Sequence, residues 1–521
     1  MPLELPGSAG ASPLAPQSSH DAHGGTLRVR RLGLESQSEP LVLMHKDCPI
    51  CRSEGFQSRG RIELRHGERS VLATLYQVGD GFLALDEAGL SEIAWTRLEV
   101  AEDDEIVAVH PRALESLSAV RAKLYGRRLS QQQLSTIISD ITHERYSDVE
   151  LAAFVAAFAG QPFDLAETAA LTDAMVSAGE RLAWTAELVA DKHSIGGLPG
   201  NRTTPLVVAI VAAAGLTIPK TSSRAITSPA GTADVMETMT SVDIDLGLMR
   251  EVVDSTGGCL AWGGSVRLSP ADDIIIRIER ALDVDCEAQL VASVISKKVA
   301  AGSTHVLLDI PVGPTAKVRS AEAGEALAAN LVAVGERFGL KVSPFISDGS
   351  QPIGRGLGPA LEARDVLKVL RNDPDAPEDL RSKAVSLAGR LLSFVLGRDE
   401  AEMLEQAADL LRSGAALEKF MAICTAQGGF REPPVAPLQS IVTASHNGRI
   451  ASIDNRLLAR AAKLAGAPAA KSAGLVLHVS LGDQVLAGDP LFTLHGEAPG
   501  ELEYALAFVS ANSTIIGISN Q

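Results

Sequence analysis

The spacing of apolar positions divides the chain into segments of different period. Residues 27–110 carry the short runs LRVRRLGL, PLVLMH, RIELRH, SVLATLYQV, GFLALD and EIVAVH, broken by Gly, Asp and Ser, and this predicts an N-terminal β-rich domain of small strands. Over 111–185 the period becomes helical. Two helix starts can be read there, Ser130 with Gln133 and Ser147 with Glu150, each at capping-box spacing, so a helical domain is expected. In 186–432 the runs ELVADKH, DIIIRI, THVLLDI and KVSPFISD read as strands between Ala-rich helical stretches, with further helices after the NDPDAPED linker, which predicts an α/β catalytic domain with additional helices. Residues 433–521 return to short strands with Gly turns and read as a small α+β domain.

Length supports that division: 521 residues, at roughly one domain per ~150, predict three or four domains and argue against a lone binding module. Hydrophobic residues make up 46% and charged residues 21%, a globular composition, while aromatics are only 4%, so the cores must be aliphatic, as in helices layered on a buried sheet. The net charge of −17, from 64 acidic against 47 basic residues, argues against nucleic-acid polymers and anionic membranes as partners. An anionic substrate would need a local basic pocket. No apolar run approaches the roughly 20 residues that span a bilayer. Residues 1–26 are rich in Pro, Ser, Gly and Ala and lack the pattern of a secretory signal, so a disordered tail on a soluble cytoplasmic chain is expected. Five cysteines, an odd number, suggest a reducing compartment and no disulfide framework.

Residues 187–239 carry the most chemistry. A strand runs into a glycine turn (Gly196, Gly197, Gly200), Thr204 is placed as N-cap, Pro205 as first helical residue and Gly215 just past the last turn, which predicts a helix of about ten residues. Its start, with Lys192, Ser194, Thr203 and Thr204 nearby, suits a phosphate, because free backbone N–H groups and the positive dipole end point at it. A second hydroxyl-rich loop, with Thr221, Ser222, Ser223, Arg224, Thr227 and Ser228, leads through Gly231 to Thr232 and the next helix, so two loops are expected to hold one anion from both sides. Ser293 and Lys297 stand four apart in CEAQLVASVISKKVAAG and share one helix face.

The blocks DKHSIGG, PKTSSRAITSPAGTADVME, GGCLAWGG, LSPADD, ASVISKK and DIPVG resemble, in order and spacing, those of the thymidine phosphorylase family, most closely its longer branch that includes AMP phosphorylase. The resemblance covers about residues 110–500 and implies a multi-domain α/β and α+β fold, with a helical domain and a mixed-sheet α/β domain as in pyrimidine nucleoside phosphorylases. It implies phosphorolysis: inorganic phosphate attacks C1′ of thymidine or a related pyrimidine nucleoside and releases free base and pentose 1-phosphate. The alternative is a nucleoside 5′-monophosphate of the AMP type, giving ribose 1,5-bisphosphate. Phosphate is then a co-substrate, no cofactor or metal is implied, and the protein is expected as a homodimer or larger homo-oligomer.

Such a reaction builds positive charge on the sugar and negative charge on the base, so it needs a held nucleophile on one side and donors on the other. Lys192, Ser194, Thr204, Ser222 and Thr232 form the phosphate-binding group. By position, Ser293 and Lys297 match the family's base contacts, His193 its active-site histidine, and Asp285 a proton donor of the nucleotide-using branch. Gly197, the loop Ser223, Arg224, Ala225, Ile226, Thr227 and Ser228, and Lys317 after the DIPVG turn complete the substrate contacts, with Arg280 as the base-binding arginine and Arg277 as its alternative. Ser228 stands where the thymidine enzymes carry histidine, which leaves the 5′-phosphorylated substrate open.

Other readings stand beside these. Asp285 also suits a helix N-cap. His45, Cys48 and Cys51 lie at metal-ligand spacing but lack a fourth ligand, so buried reduced thiols are the first expectation and a metal the second. The GDQVLAGDPL hairpin resembles a lipoyl-type carrier fold without the lysine that would carry a cofactor. A phosphoribosyltransferase, with Mg²⁺ and a diphosphate leaving group, and a non-catalytic nucleotide sensor are the competing classes.

Overall fold

The structure is a computed structural model and describes residues 25–36, 39–200, 202–225, 228–266, 268–282, 284 and 286–519. Most of the expected tail, together with Ile226, Thr227 and Asp285, lies outside the described residues. The chain forms two compact units, residues 1–114 and 115–521.

In the first unit the strands Thr26–Arg31, Leu41–His45, Arg61–His66, Arg69–Val78, Glu87–Leu90 and Glu105–Val109 close a barrel. Alternate side chains point inward, so Leu27 and Val29, Val42 and Met44, Ile62 and Leu64, and Ile106 and Ala108 meet in one core. GFLALD, expected as a strand, is a turn: Phe82 and Leu85 are exposed and only Leu83 reaches the interior, and the strand follows at Glu87. Cys48 caps a short helix, Pro49–Ser53, and both Cys48 and Cys51 are buried free thiols. Both nitrogens of His45 are engaged, Nε2 with Asp80 Oδ1 at 3.0 Å and Nδ1 accepting from the Asp47 amide at 3.0 Å. Among the described residues no group of His, Cys, Asp and Glu is placed to hold a metal ion.

The second unit begins with the helices Ser116–Leu124, Gln131–Thr142, Asp148–Gly160 and Leu165–Ser177. Ser130–Gln133 and Ser147–Glu150 form the expected capping boxes, and Asp164–Glu167 forms a third. The strands Lys341–Asp348, His305–Val312 and Ala190–Ser194 follow in one parallel sheet, and Ile218–Ser222 pairs in parallel with Gly258–Trp262. A parallel bridge, Val189 to Thr217, joins the two. Among the described residues of the second unit, antiparallel pairing joins Leu438–Thr443, Pro490–Gly496, Gly474–Leu477 and Gly356–Leu357 in one sheet and Gly448–Ile453, Gln484–Val485 and Ile516–Ser519 in another.

DIIIRI is not a strand but part of the helix Pro270–Leu282, because burial falls on Ala271, Ile275 and Ile278 at helical spacing and the intervening isoleucines stay half-buried. The helix after the glycine turn runs from Thr203 to Ala213 with Arg202, not Thr204, at its N-cap, and Gly215 follows it with φ +90°. Leu206–Ala212 are buried on every side of this helix, which makes it a central post of the core rather than an amphipathic cover. Thr221 and Ser222, read as loop residues, close the strand Ile218–Ser222. No helix of the described residues is long and apolar enough to cross a membrane.

Candidate active site

The strand Ala190–Ser194 delivers Asp191, Lys192, His193 and Ser194 to the C-terminal edge of the sheet. Lys192 is fully buried, and its Nζ donates to Thr203 Oγ1 at 2.8 Å, Thr204 Oγ1 at 3.3 Å and the Gly200 carbonyl at 3.3 Å. Burial lowers its pKa to about 8, opposed by Asp309 and reinforced by Lys383 and Lys298. Such an ammonium gains much from an anion that enters beside it. Gly196 and Gly197 take positive φ, +86° and +25°, and a Cβ on Gly200 would stand 1.8 Å from Ser194 Oγ, so the turn folds tightly under the hydroxyl.

The second loop is held from within. Asp234 Oδ2 accepts from the Ala225 amide at 2.6 Å and the Gly231 amide at 2.9 Å, and Ser228 Oγ donates to the Ala230 carbonyl at 2.8 Å. A Cβ on Gly197 would meet Ser228 Cβ at 3.5 Å, so the two glycine-bearing loops face each other. Among the described residues the buried Ser222 hydroxyl finds no hydrogen-bond partner, and Thr232 is buried at the start of the helix Thr232–Glu237. Ser223 is exposed and Ala225 buried. Arg224 does not project as a spare cation: its guanidinium binds Glu237 at 2.7 and 2.8 Å, approaches Asp234 at 3.4 Å and lies over Trp262. Lys471 joins the same carboxylate at 2.6 Å. Arg224 and then Lys471 hold the Glu237 carboxyl down at about 2 against its partial burial.

Arg280 Nη2 donates to the Ala225 carbonyl at 2.6 Å and so reaches the second loop, while Arg277 pairs with Asp148 at 2.9 Å on the helical segment. Lys297 is ion-paired with the buried Asp272, and its Nζ reaches Ser293 Oγ at 3.5 Å. Burial would lower its pKa, but Asp272 and Asp273 outweigh that and raise it. Lys317 is exposed and its Cβ packs against the Gly196 turn. His193 is held well below its ordinary pKa, by burial first and then by Lys298, Lys220, Lys297 and Lys192, so it is neutral near pH 7.

Sequence reasoning missed several groups. Asp191 is fully buried and takes Lys298 at 2.8 Å and Lys220 at 3.7 Å. Asp309, inside the quoted DIPVG block, accepts from Ser194 at 2.8 Å. Ser347 and Lys383 converge on it from elements with no motif of their own. Lys192, Lys220, Lys297 and Lys298 act on the neutral imidazole, with Lys298 paired to Asp191, Lys297 to Asp272 and Lys383 to Asp309, which gathers buried cations at one place in an acidic chain.

Residues 117–179 match the model of the glycosyl transferase family helical bundle domain, 186–417 that of the glycosyl transferase family a/b domain, and 449–516 the pyrimidine nucleoside phosphorylase C-terminal domain. A protein of Acidovorax sp. (strain JS42) named "Putative thymidine phosphorylase 1" is 57% identical over 505 residues, 97% of this chain and 98% of that one. The chain belongs to the thymidine phosphorylase family. A Polaromonas relative under the same family name is 56% identical over 97% of this chain and 99% of its own. Anthranilate phosphoribosyltransferase from Thermus thermophilus shares the fold with a TM-score of 0.51 at 18% identity, over 59% of this chain and 99% of that one. Like its family, the protein is a pentosyltransferase, and its helical, α/β and C-terminal parts are those of this family.

Proposed function

We propose that the protein catalyses phosphorolysis of a nucleoside, with thymidine or a related pyrimidine nucleoside as substrate. The observation that carries this reading is the pair of facing loops at Gly197 and Ser228, with the buried Lys192 ammonium behind one and, beside the other, a Ser222 hydroxyl that finds no partner among the described residues. Phosphate held by Lys192, Ser194, Thr204, Ser222 and Thr232 attacks C1′; the C1′–O bond forms as the C1′–N bond breaks. The electron pair goes to the base, where Lys297 with Ser293, and Arg280 across the second loop, stabilise it. Neutral His193 serves as a hydrogen-bonding group and not as a fixed charge. Asp285 is proposed as the proton donor to the leaving base. The names of the relatives, thymidine phosphorylase, support the nucleoside substrate.

Ser228 favours a second reading, a nucleoside 5′-monophosphate of the AMP type, since its side chain is smaller than the histidine of the thymidine enzymes and the exposed Lys317 packs against the neighbouring Gly196 turn. Incubation with thymidine, uridine, AMP and CMP, with and without phosphate, decides between them. Thymine from thymidine only when phosphate is present supports the first reading, and adenine from AMP with no thymine supports the second. Base release that ignores phosphate overturns both.

A further inference from the structure

We propose that Asp309 and Lys383 are positioning residues for the phosphate nucleophile, acting through Ser194 and the glycine turn; this rests on Ser194 belonging to the anion site. Asp309 is wholly buried on the strand His305–Val312, in register with Ser194. Its Oδ2 accepts the single Ser194 hydroxyl proton at 2.8 Å, which leaves the Ser194 lone pairs to accept from the P–OH of HPO4²⁻. Its Oδ1 accepts the Ser347 hydroxyl at 2.6 Å and faces Lys383 Nζ at 3.3 Å. Lys383, from the helix Glu378–Leu396, also donates to Ser347 Oγ at 2.9 Å and to the Pro199 carbonyl at 3.3 Å.

The turn is thereby tied down twice, since Lys383 holds the Pro199 carbonyl and Lys192 holds the next one, that of Gly200. A buried carboxylate beside an anion site would repel the anion, and Lys383 neutralises it while leaving its oxygens free to fix Ser194. Charge and position therefore make opposite forecasts for Asp309. If Asp309 acted only through its charge, Asp309→Asn would leave Lys383 unopposed and tighten phosphate. If it acts by holding Ser194 and the turn, the same change weakens phosphate.

The test is steady-state kinetics on the full chain, with KM for phosphate, KM for nucleoside and kcat measured separately, together with the rise in melting temperature caused by inorganic phosphate. Asp309→Asn and Lys383→Met should each raise KM for phosphate about tenfold, the scale of a lost hydrogen bond to a charged group, with KM for nucleoside changed less than about twofold. The Asp309→Asn, Lys383→Met double variant restores neutrality and should stay as poor as Lys383→Met. Ser347→Ala, a milder change in case the others fold badly, should raise KM for phosphate about threefold and reduce the phosphate-induced thermal shift. An unchanged or lower KM for phosphate in both Asp309→Asn and Ser347→Ala overturns the proposal while the unmodified enzyme still turns over. An unmodified protein that neither binds nor uses phosphate overturns the functional reading, and this inference with it.

Discussion

At the scale of single residues, Lys192 makes the sharpest forecast. Its pKa of about 8 means that the free site loses its charge as pH rises past that point. KM for phosphate should then rise by up to about tenfold per pH unit above 8, where phosphate itself no longer changes form. A KM that stays flat to pH 10 contradicts the role. The sign for stability is opposite. The unfolded chain keeps Lys192 protonated to about 10.5, so the unfolded state holds more protons between about 8 and 10.5, and the contribution of this group to stability rises across that window. Lys192→Ala should raise KM for phosphate steeply without a comparable change in KM for nucleoside. Lys192, Ser194 and the loop from Ser223 to Ser228 were legible because local sequence shows hydroxyls, a lysine and glycines together. Asp309, Ser347 and Lys383 meet only in the folded chain, and Lys383 lies 191 residues from Lys192 in a helix without any motif.

At the scale of elements, the glycine turn and the helix caps should separate function from stability. Gly200→Ala places a Cβ against Ser194 Oγ and Asp309, so it should cost about 1–3 kcal/mol and also abolish most phosphate-dependent turnover. Ser130→Ala removes a capping box remote from the anion site and should cost about 1 kcal/mol while both KM values stay unchanged. Thermal unfolding beside kinetics checks the pair, and equal kinetic damage in both variants would contradict the assignment. Caps were readable because Ser130–Gln133 and Ser147–Glu150 act within one turn. DIIIRI misled because a run of apolar residues looks alike in both periods until burial picks out Ala271, Ile275 and Ile278. The short strands Ile218–Ser222 and Gly258–Trp262 went unread because IPKTS and GCLAW have no alternation, being buried on both faces.

At the scale of the whole molecule, the helical segment and the α/β layer of the second unit flank the residues that would meet the substrate. The helices Pro270–Leu282 and Glu287–Ala300 pack on the helical segment, where Arg277 pairs with Asp148, so Arg280, Ser293 and Lys297 stand on the helical side and Lys192, Ser194 and Ser222 on the α/β side. Closure over phosphate and nucleoside would exclude water from the reacting centre. Small-angle scattering or a distance probe placed on the two parts should therefore show approach when both substrates are present, and an unchanged distance contradicts closure. The succession of strand-rich and helical segments was readable from period, whereas the barrel's closure and the edge strand at Gly356–Leu357 that joins the C-terminal sheet depend on pairings between distant segments.

Where an oxyanion binds is the most direct test of the proposed chemistry. A crystal structure of the protein with phosphate or sulfate should show the ion between the two loops, within hydrogen-bond reach of the Ser194, Thr204, Ser222 and Thr232 hydroxyls and with the Lys192 ammonium behind it. An ion bound elsewhere, with this place left empty, would contradict phosphorolysis at this site.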